Sequence, residues 1–183
     1  MVLPIMTPSK NIWLFCRKES IGGTGGTENS RRAHHRGTSM SGADQEDPHN
    51  LQRFLDAQNA VFAQVCSELR AGRKRSHWMW FIFPQIQGLG YSPLARKFAI
   101  SSLQEAKAYL DHPILGARLR ECCRLVNQVE GRSIEEIFGY PDDLKFRSSM
   151  TLFANATSAN QIFQDALEKY FNGESDPLTL ERL

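Results

Sequence analysis

The sequence predicts a compact all-α domain of about six to eight helices, several of them short, behind a disordered N-terminal tail. Three observations support this fold class. After Asp47, apolar residues recur at the 3.6-residue period of a helix, helix start and stop signals agree with that period, and strand signals are nearly absent. The 183 residues are 41% hydrophobic with a formal net charge of +2, which fits one ordinary globular domain.

The N-terminal segment, residues 1–47, differs from the rest in composition. It is rich in Gly, Ser, Thr and charge, and it lacks the apolar surface that would offset its ordering entropy, so we predict disorder. Its first 16 residues are too interrupted by proline and polar residues for a secretory or membrane-spanning segment, and a cytoplasmic location with no membrane partner is expected. Because Met40 would itself make a natural start, we hypothesise that residues 1–39 are an upstream extension.

The first helix is predicted between Asp47, which precedes Pro48, and Gly72. Its inward-facing stripe at helical spacing consists of Leu51, Phe54, Leu55, Gln58, Val61, Phe62, Val65, Cys66 and Leu69.

Further helices follow from local start signals. Ser92 with Pro93 begins a short helix through Ile100, and Asp176 with Pro177 begins a final turn. Capping boxes are predicted at Ser102 with Glu105 and at Ser133 with Glu136. The helical segments are Ser102 to Asp111, Pro113 to Gly131, Ser133 to Gly139, Pro141 to Ala156 and Ser158 to Gly173.

The segment "HWMWFIFP", His77 to Pro84, is the most aromatic part of the chain. Its composition favours a strand, but no partner strand is predicted, so we expect a buried two-turn helix with Ser76 as N-cap and Pro84 at its end. Trp78 and Trp80 are then expected chiefly to pack in the core. The alternative is that one of them stacks on the ring of a ligand.

Positive charge is concentrated around this aromatic segment, since Lys and Arg outnumber acids six to none between Leu69 and Gln104. Two interpretations stay open. The cations Arg73, Lys74 and Arg75 follow the first helix, where the helix dipole favours them. They also precede the N-terminus of the next helix, where they would be favoured only with an anion bound.

A second polar cluster lies in "DDLKFRSSMT", Asp142 to Thr151. Asp143 and Arg147 are four residues apart, as in an exposed helical ion pair. Alternatively, Arg147 binds a phosphate or carboxylate as a planar fork. Lys145, Ser148 and Ser149 would then supply further donors.

Several kinds of site are not expected. The four cysteines lack zinc-site and disulfide spacings, no His or acid cluster has metal-ligand spacing, and "GGTGGT" lacks the Lys-Ser/Thr of a phosphate loop. We therefore predict no metal and no cofactor. His77 is the one histidine in a chemically suggestive setting, either as a general acid or base or as a core polar group.

Three blocks, "AGRKRSHWMWFIFPQIQGLGYSPLARKFAI", "EAKAYLDHPILGARLREC" and "FGYPDDLKFRSSMTLF", resemble a small bacterial family of unknown function, often machine-labelled "calpastatin". The resemblance covers about Asn50 to Leu183 and implies an all-α fold, because the solved members are all-α. It implies no catalytic residues. True calpastatins are disordered repeat inhibitors, so calpain inhibition is not expected of a capped, periodic domain.

We hypothesise that the domain binds or processes a small phosphorylated or nucleotide-like ligand. The segment Phe54 to Gln58 resembles a helix of small α-rich families that process ADP-ribose conjugates, which suggests an ADP-ribose-like ligand. The expected binding residues are Arg73, Lys74, Arg75, Trp78, Trp80, Gln85, Lys145, Arg147, Ser148 and Ser149, with His77 as the catalytic candidate. The alternatives are a protein-interaction module without catalysis and a weak nucleic-acid binder.

Overall fold

The computed structural model describes residues 47–183. The proposed extension, residues 1–39, and the predicted disordered tail, except for its last residue Asp47, lie outside this part. Ten helices form within it. They are α1 (Gln52–Asn59), α2 (Phe62–Arg70), α3 (Met79–Ile82), α4 (Pro93–Lys97), α5 (Leu103–Asp111), α6 (Leu115–Asn127), α7 (Ile134–Phe138), α8 (Asp142–Ala156), α9 (Gln161–Phe171) and α10 (Pro177–Leu180). The all-α prediction is confirmed. None of these helices is long and apolar enough to cross a membrane.

The first predicted helix is two helices, so the prediction of one continuous element was wrong. The chain bends at Ala60 and Val61, between α1 and α2. The apolar stripe is divided there because α1 packs against α3 whereas α2 packs against α6. The helix also starts later than predicted, because α1 begins at Gln52 with Leu51 as its N-cap. The Asp47 carboxylate accepts from the backbone N–H groups of Leu51 at 2.8 Å and Gln52 at 2.9 Å.

Capping signals located four of the other helix starts, those of α4, α5, α7 and α10. The box at Ser133 and Glu136 is complete, with the Glu136 carboxylate 2.7 Å from the Ser133 backbone nitrogen. At Ser102 only half of the box forms. Its hydroxyl accepts from the Glu105 backbone N–H, but the Glu105 carboxylate binds the backbone and hydroxyl of Ser101 instead.

The aromatic segment is buried as predicted, but its helix is shorter. α3 has a single turn and Trp78 is its N-cap. Ser76 does not cap it, because its hydroxyl lies 2.6 Å from the Glu68 carboxylate. His77 is exposed, and Trp80 and Phe81 are half-buried. The other residues of the segment are buried: Trp78, Met79, Ile82, Phe83 and Pro84.

The core is built around α8, which packs against α5, α7, α9 and α10. Phe146 of α8 lies at its centre, with ring centroids 4.9 Å from Phe83 and 5.0 Å from Phe138. Outside the helices, a parallel bridge joins Ile86 and Ile100. This bridge fixes the loop after α3 beside the connection between α4 and α5.

Candidate functional site

The basic segment between α2 and α3 is held by a buried carboxylate. Glu68 of α2 is 7% exposed and accepts from the backbone N–H groups of Arg75 and Ser76, the Ser76 hydroxyl, the Trp78 indole N–H and the Gln64 amide. Burial alone would raise the pKa of Glu68, but these hydrogen bonds lower the pKa to about 2. The segment that carries the cations is therefore fixed in place.

Two lysines and two tryptophans meet around one aspartate. The Asp142 carboxylate lies 2.7 Å from Lys74 Nζ and 2.6 Å from Lys145 Nζ. Lys74 Nζ is 5.5 Å from the Trp78 ring centroid, and Lys145 Nζ is 4.7 Å from that of Trp80. Burial opposes the charge on Asp142, but the two lysines lower the pKa of its carboxyl. The cluster keeps one surplus positive charge.

A small pocket of about 150 Å³ opens beside Trp80. We call it the Trp80 pocket; its lining is formed by Trp80, Gln85–Gly88, Gly90, Ala95, Arg96, Phe98 and Ala99. The loop lies so close to α4 that a Cβ at Gly90 would be 2.5 Å from the Ala95 Cβ. The pocket thus combines a half-buried indole, the Gln85 amide and the exposed guanidinium of Arg96.

None of the predicted donors of α8 lines this pocket, although Lys145 lies near it, over the ring of Trp80. Arg147 donates to the Glu174 carboxylate and carbonyl at 3.0 Å, and the Ser148 hydroxyl donates to Asp176 at 3.1 Å. Two residues along a helix amount to about 200° of rotation, so Arg147 faces away from the side that Lys145 occupies. Arg147 therefore does not lie with Trp80 in one site, although both were expected to bind the same ligand.

Ser149 and Trp78 are both buried. The Ser149 hydroxyl is fully buried and has no hydrogen-bond partner between residues 47 and 183. Trp78 is 1% exposed, with Lys74 over its ring. Neither side chain is open to a ligand, so Trp80 is the tryptophan that remains available.

Three predicted residues lie on the outer surface. Arg73, Arg75 and His77 are exposed, and their side chains form no ion pair or hydrogen bond with residues 47–183. The alternative that His77 is a buried core group is therefore wrong. His77 does not line the Trp80 pocket.

Two residues of the site were not predicted from the sequence. Asp142 was named only as the first residue of the second polar cluster, although its spacing of three residues from Lys145 could have indicated their pairing. Arg96 was counted only as part of the charge excess. No cluster of three or more His, Cys, Asp or Glu side chains that could hold a metal occurs within the described residues.

Comparison with known proteins identifies a family without a known activity. The family described as "Protein of unknown function (DUF1810)" matches residues 48–183. The chain is similar to the crystal structure of the conserved hypothetical protein Rv1873 from Mycobacterium tuberculosis at 1.38 Å, with 64% sequence identity and a TM-score of 0.74. The match covers 75% of this chain and 98% of that one. Among curated proteins, no match was found.

Proposed function

Because the chain belongs to the DUF1810 family, whose description assigns no function, we propose from the geometry that it binds a small phosphorylated ligand that carries a ring. Nucleotides and ADP-ribose have this chemistry. The observation that carries the proposal is the half-buried Trp80 beside a pocket, with a surplus cation, Lys145, 4.7 Å from its ring centroid.

The ring of the ligand would contact Trp80. An indole presents a large flat surface on which a base can stack, at a cost of only two side-chain torsions. Lys145 lies over the ring of Trp80, and the pocket lies where Trp80 meets the loop after α3. The half-buried Gln85 amide can both donate to and accept from the polar edge of a base.

The phosphate of the ligand would be bound by Arg96 and Lys145. Arg96 lines the pocket and is exposed, and its planar guanidinium can bind two phosphate oxygens at once. Lys145 shares Asp142 with Lys74, so the single carboxylate cannot neutralise both ammonium groups. An anion would therefore complete the charge balance of this cluster.

A thermal-denaturation screen with the full chain tests the proposal. We expect ADP-ribose or AMP to raise the melting temperature, because a ligand that binds only the folded state stabilises it by mass action. Adenosine and inorganic phosphate, which each lack one half of the ligand, should have much smaller effects at the same concentration.

Variants locate the binding site. Trp80→Leu should weaken binding by about tenfold or more, since stacking on an aromatic side chain contributes about 1–3 kcal/mol. Arg96→Ala should remove the part of the rise in melting temperature that depends on the phosphate of the ligand. It should leave the melting temperature without ligand nearly unchanged. Lys97→Ala is the matched control, because Lys97 is exposed beside Arg96 but does not line the pocket. The proposal is wrong if no ligand of the set stabilises the wild type, or if Arg96→Ala and Lys97→Ala respond alike.

A further inference from the structure

A second basic surface lies on the segment between α2 and α3, apart from the lining of the Trp80 pocket. Burial alternates along this segment. We call the outer side the basic ridge, which consists of Arg73, Arg75 and His77; the side chains between them, Lys74 and Ser76, are half-buried.

Four successive backbone N–H groups beneath the ridge, from Arg73 to Ser76, donate hydrogen bonds. The Arg73 N–H donates to the Glu68 carbonyl and the Lys74 N–H to the Ile137 carbonyl at 2.7 Å. The next two N–H groups, of Arg75 and Ser76, donate to the Glu68 carboxylate. The segment is therefore rigid, so that little ordering cost would oppose binding.

A third guanidinium stands next to the ridge. Arg132 Nη1 donates to the Gly72 carbonyl at 3.3 Å, which places Arg132 beside Arg73. None of Arg73, Arg75 and Arg132 has a carboxylate within ion-pair distance in the region from 47 to 183. The neighbouring Glu136 carboxylate is bound in the cap of its own helix.

We propose that the basic ridge binds the sugar-phosphate backbone of single-stranded nucleic acid. Guanidinium groups bind phosphate oxygens as planar forks, and the exposed imidazole of His77 gives an unstacked base a ring to lie on. An acidic peptide made of Asp and Glu has no ring that could stack on this imidazole. Residues 47–183 contain sixteen Lys and Arg and sixteen Asp and Glu, so the attraction to phosphate would be confined to the ridge. Because phosphate contacts release bound counterions, the affinity should depend strongly on the salt concentration.

The test is a fluorescence-anisotropy titration of the full chain with a labelled single-stranded oligothymidine of about 12 nucleotides. The salt concentration is varied from about 50 to 200 mM. Each lost phosphate contact on a single strand changes the slope of log K against log salt by about 0.7. The double variant Arg73→Ala/Arg75→Ala should therefore have a slope about 1.4 smaller in magnitude than that of the wild type.

The controls separate the ridge from other charges. Lys107→Ala removes an exposed cation of α5 and should leave the slope unchanged. Residues 1–46 are present in every variant, so their contribution cancels in the comparison. His77→Ala should weaken binding without changing the slope. The proposal is overturned if the double variant binds the oligonucleotide as Lys107→Ala does. It is also overturned if labelled polyglutamate binds the wild type as tightly as the oligonucleotide and loses affinity in the same variants.

Discussion

Replacing Glu68 by Gln should destabilise the fold strongly at neutral pH. The pKa of this carboxyl is lowered from 4.5 to about 2, a shift that corresponds to about 3 kcal/mol of stability at pH 7. In Glu68→Gln the amide places one nitrogen where a carboxylate oxygen now accepts hydrogen bonds. We expect a loss of about 3 kcal/mol, and a fall in melting temperature of about 10 °C.

The pH dependence identifies the charge as the cause. Because the folded-state pKa lies below the unfolded one, the contribution of Glu68 is fully present well above pH 4.5 and is lost as the pH falls toward 2. At pH 3 about half of this contribution should remain. The difference in unfolding free energy between the wild type and Glu68→Gln should therefore be about half as large at pH 3 as at pH 7.

Urea unfolding at both pH values measures this difference. Glu181→Gln is the control, since the Glu181 side chain is 69% exposed, and it should change the stability little at either pH. A Glu68→Gln variant as stable as the wild type at pH 7 would show that the buried carboxylate does not stabilise the fold. A difference that does not shrink at pH 3 would refute the assignment to the ionised carboxylate.

Two further predictions concern other parts of the fold. Arg53 forms an ion pair with the 4%-exposed Glu105 and donates to the carbonyls of Lys97 at 3.0 Å and Ala99 at 2.9 Å. Arg53→Ala should lower the free energy of urea unfolding by about 3–5 kcal/mol, because it leaves a buried carboxylate without its ionic partner. A loss below about 1 kcal/mol would show that the ion pair stabilises the fold no more than a surface pair does. Ser133→Ala removes a complete capping box and should cost about 1 kcal/mol without loss of helical circular dichroism; an unchanged denaturation midpoint would show that the cap is not needed.

Local capping signals in the sequence were sufficient for four of the ten helix starts in residues 47–183, those of α4, α5, α7 and α10. The hydroxyl of Ser92 and the carboxylate of Asp176 cap α4 and α10 as predicted, because a cap depends only on residues three positions away. The break between α1 and α2 was not predictable in this way. It depends on which distant helices pack against each half of the apolar stripe.

The candidate site was predicted only in part, for the same reason. Lys74, Trp80 and Lys145 do cluster, but their contact depends on Asp142, which is 68 positions from Lys74 in sequence. Arg147 was misplaced because its partner, Glu174, does not belong to α8 but follows α9, 27 positions further along the chain. No pattern in the sequence indicates such long-range pairings, whereas the spacing within one helix can be derived directly.

The two tryptophans have different roles, and their indole N–H signals in a ¹H–¹⁵N correlation spectrum distinguish these roles. The Trp78 indole N–H is fixed to Glu68 at 2.8 Å, whereas Trp80 lines the pocket. On titration with ADP-ribose, the Trp80 signal should shift and saturate, the Trp78 signal should stay in place, and Arg96→Ala should weaken the response. If neither signal moves at millimolar ligand, or if the Trp80 response is the same in Arg96→Ala, the pocket is not the binding site.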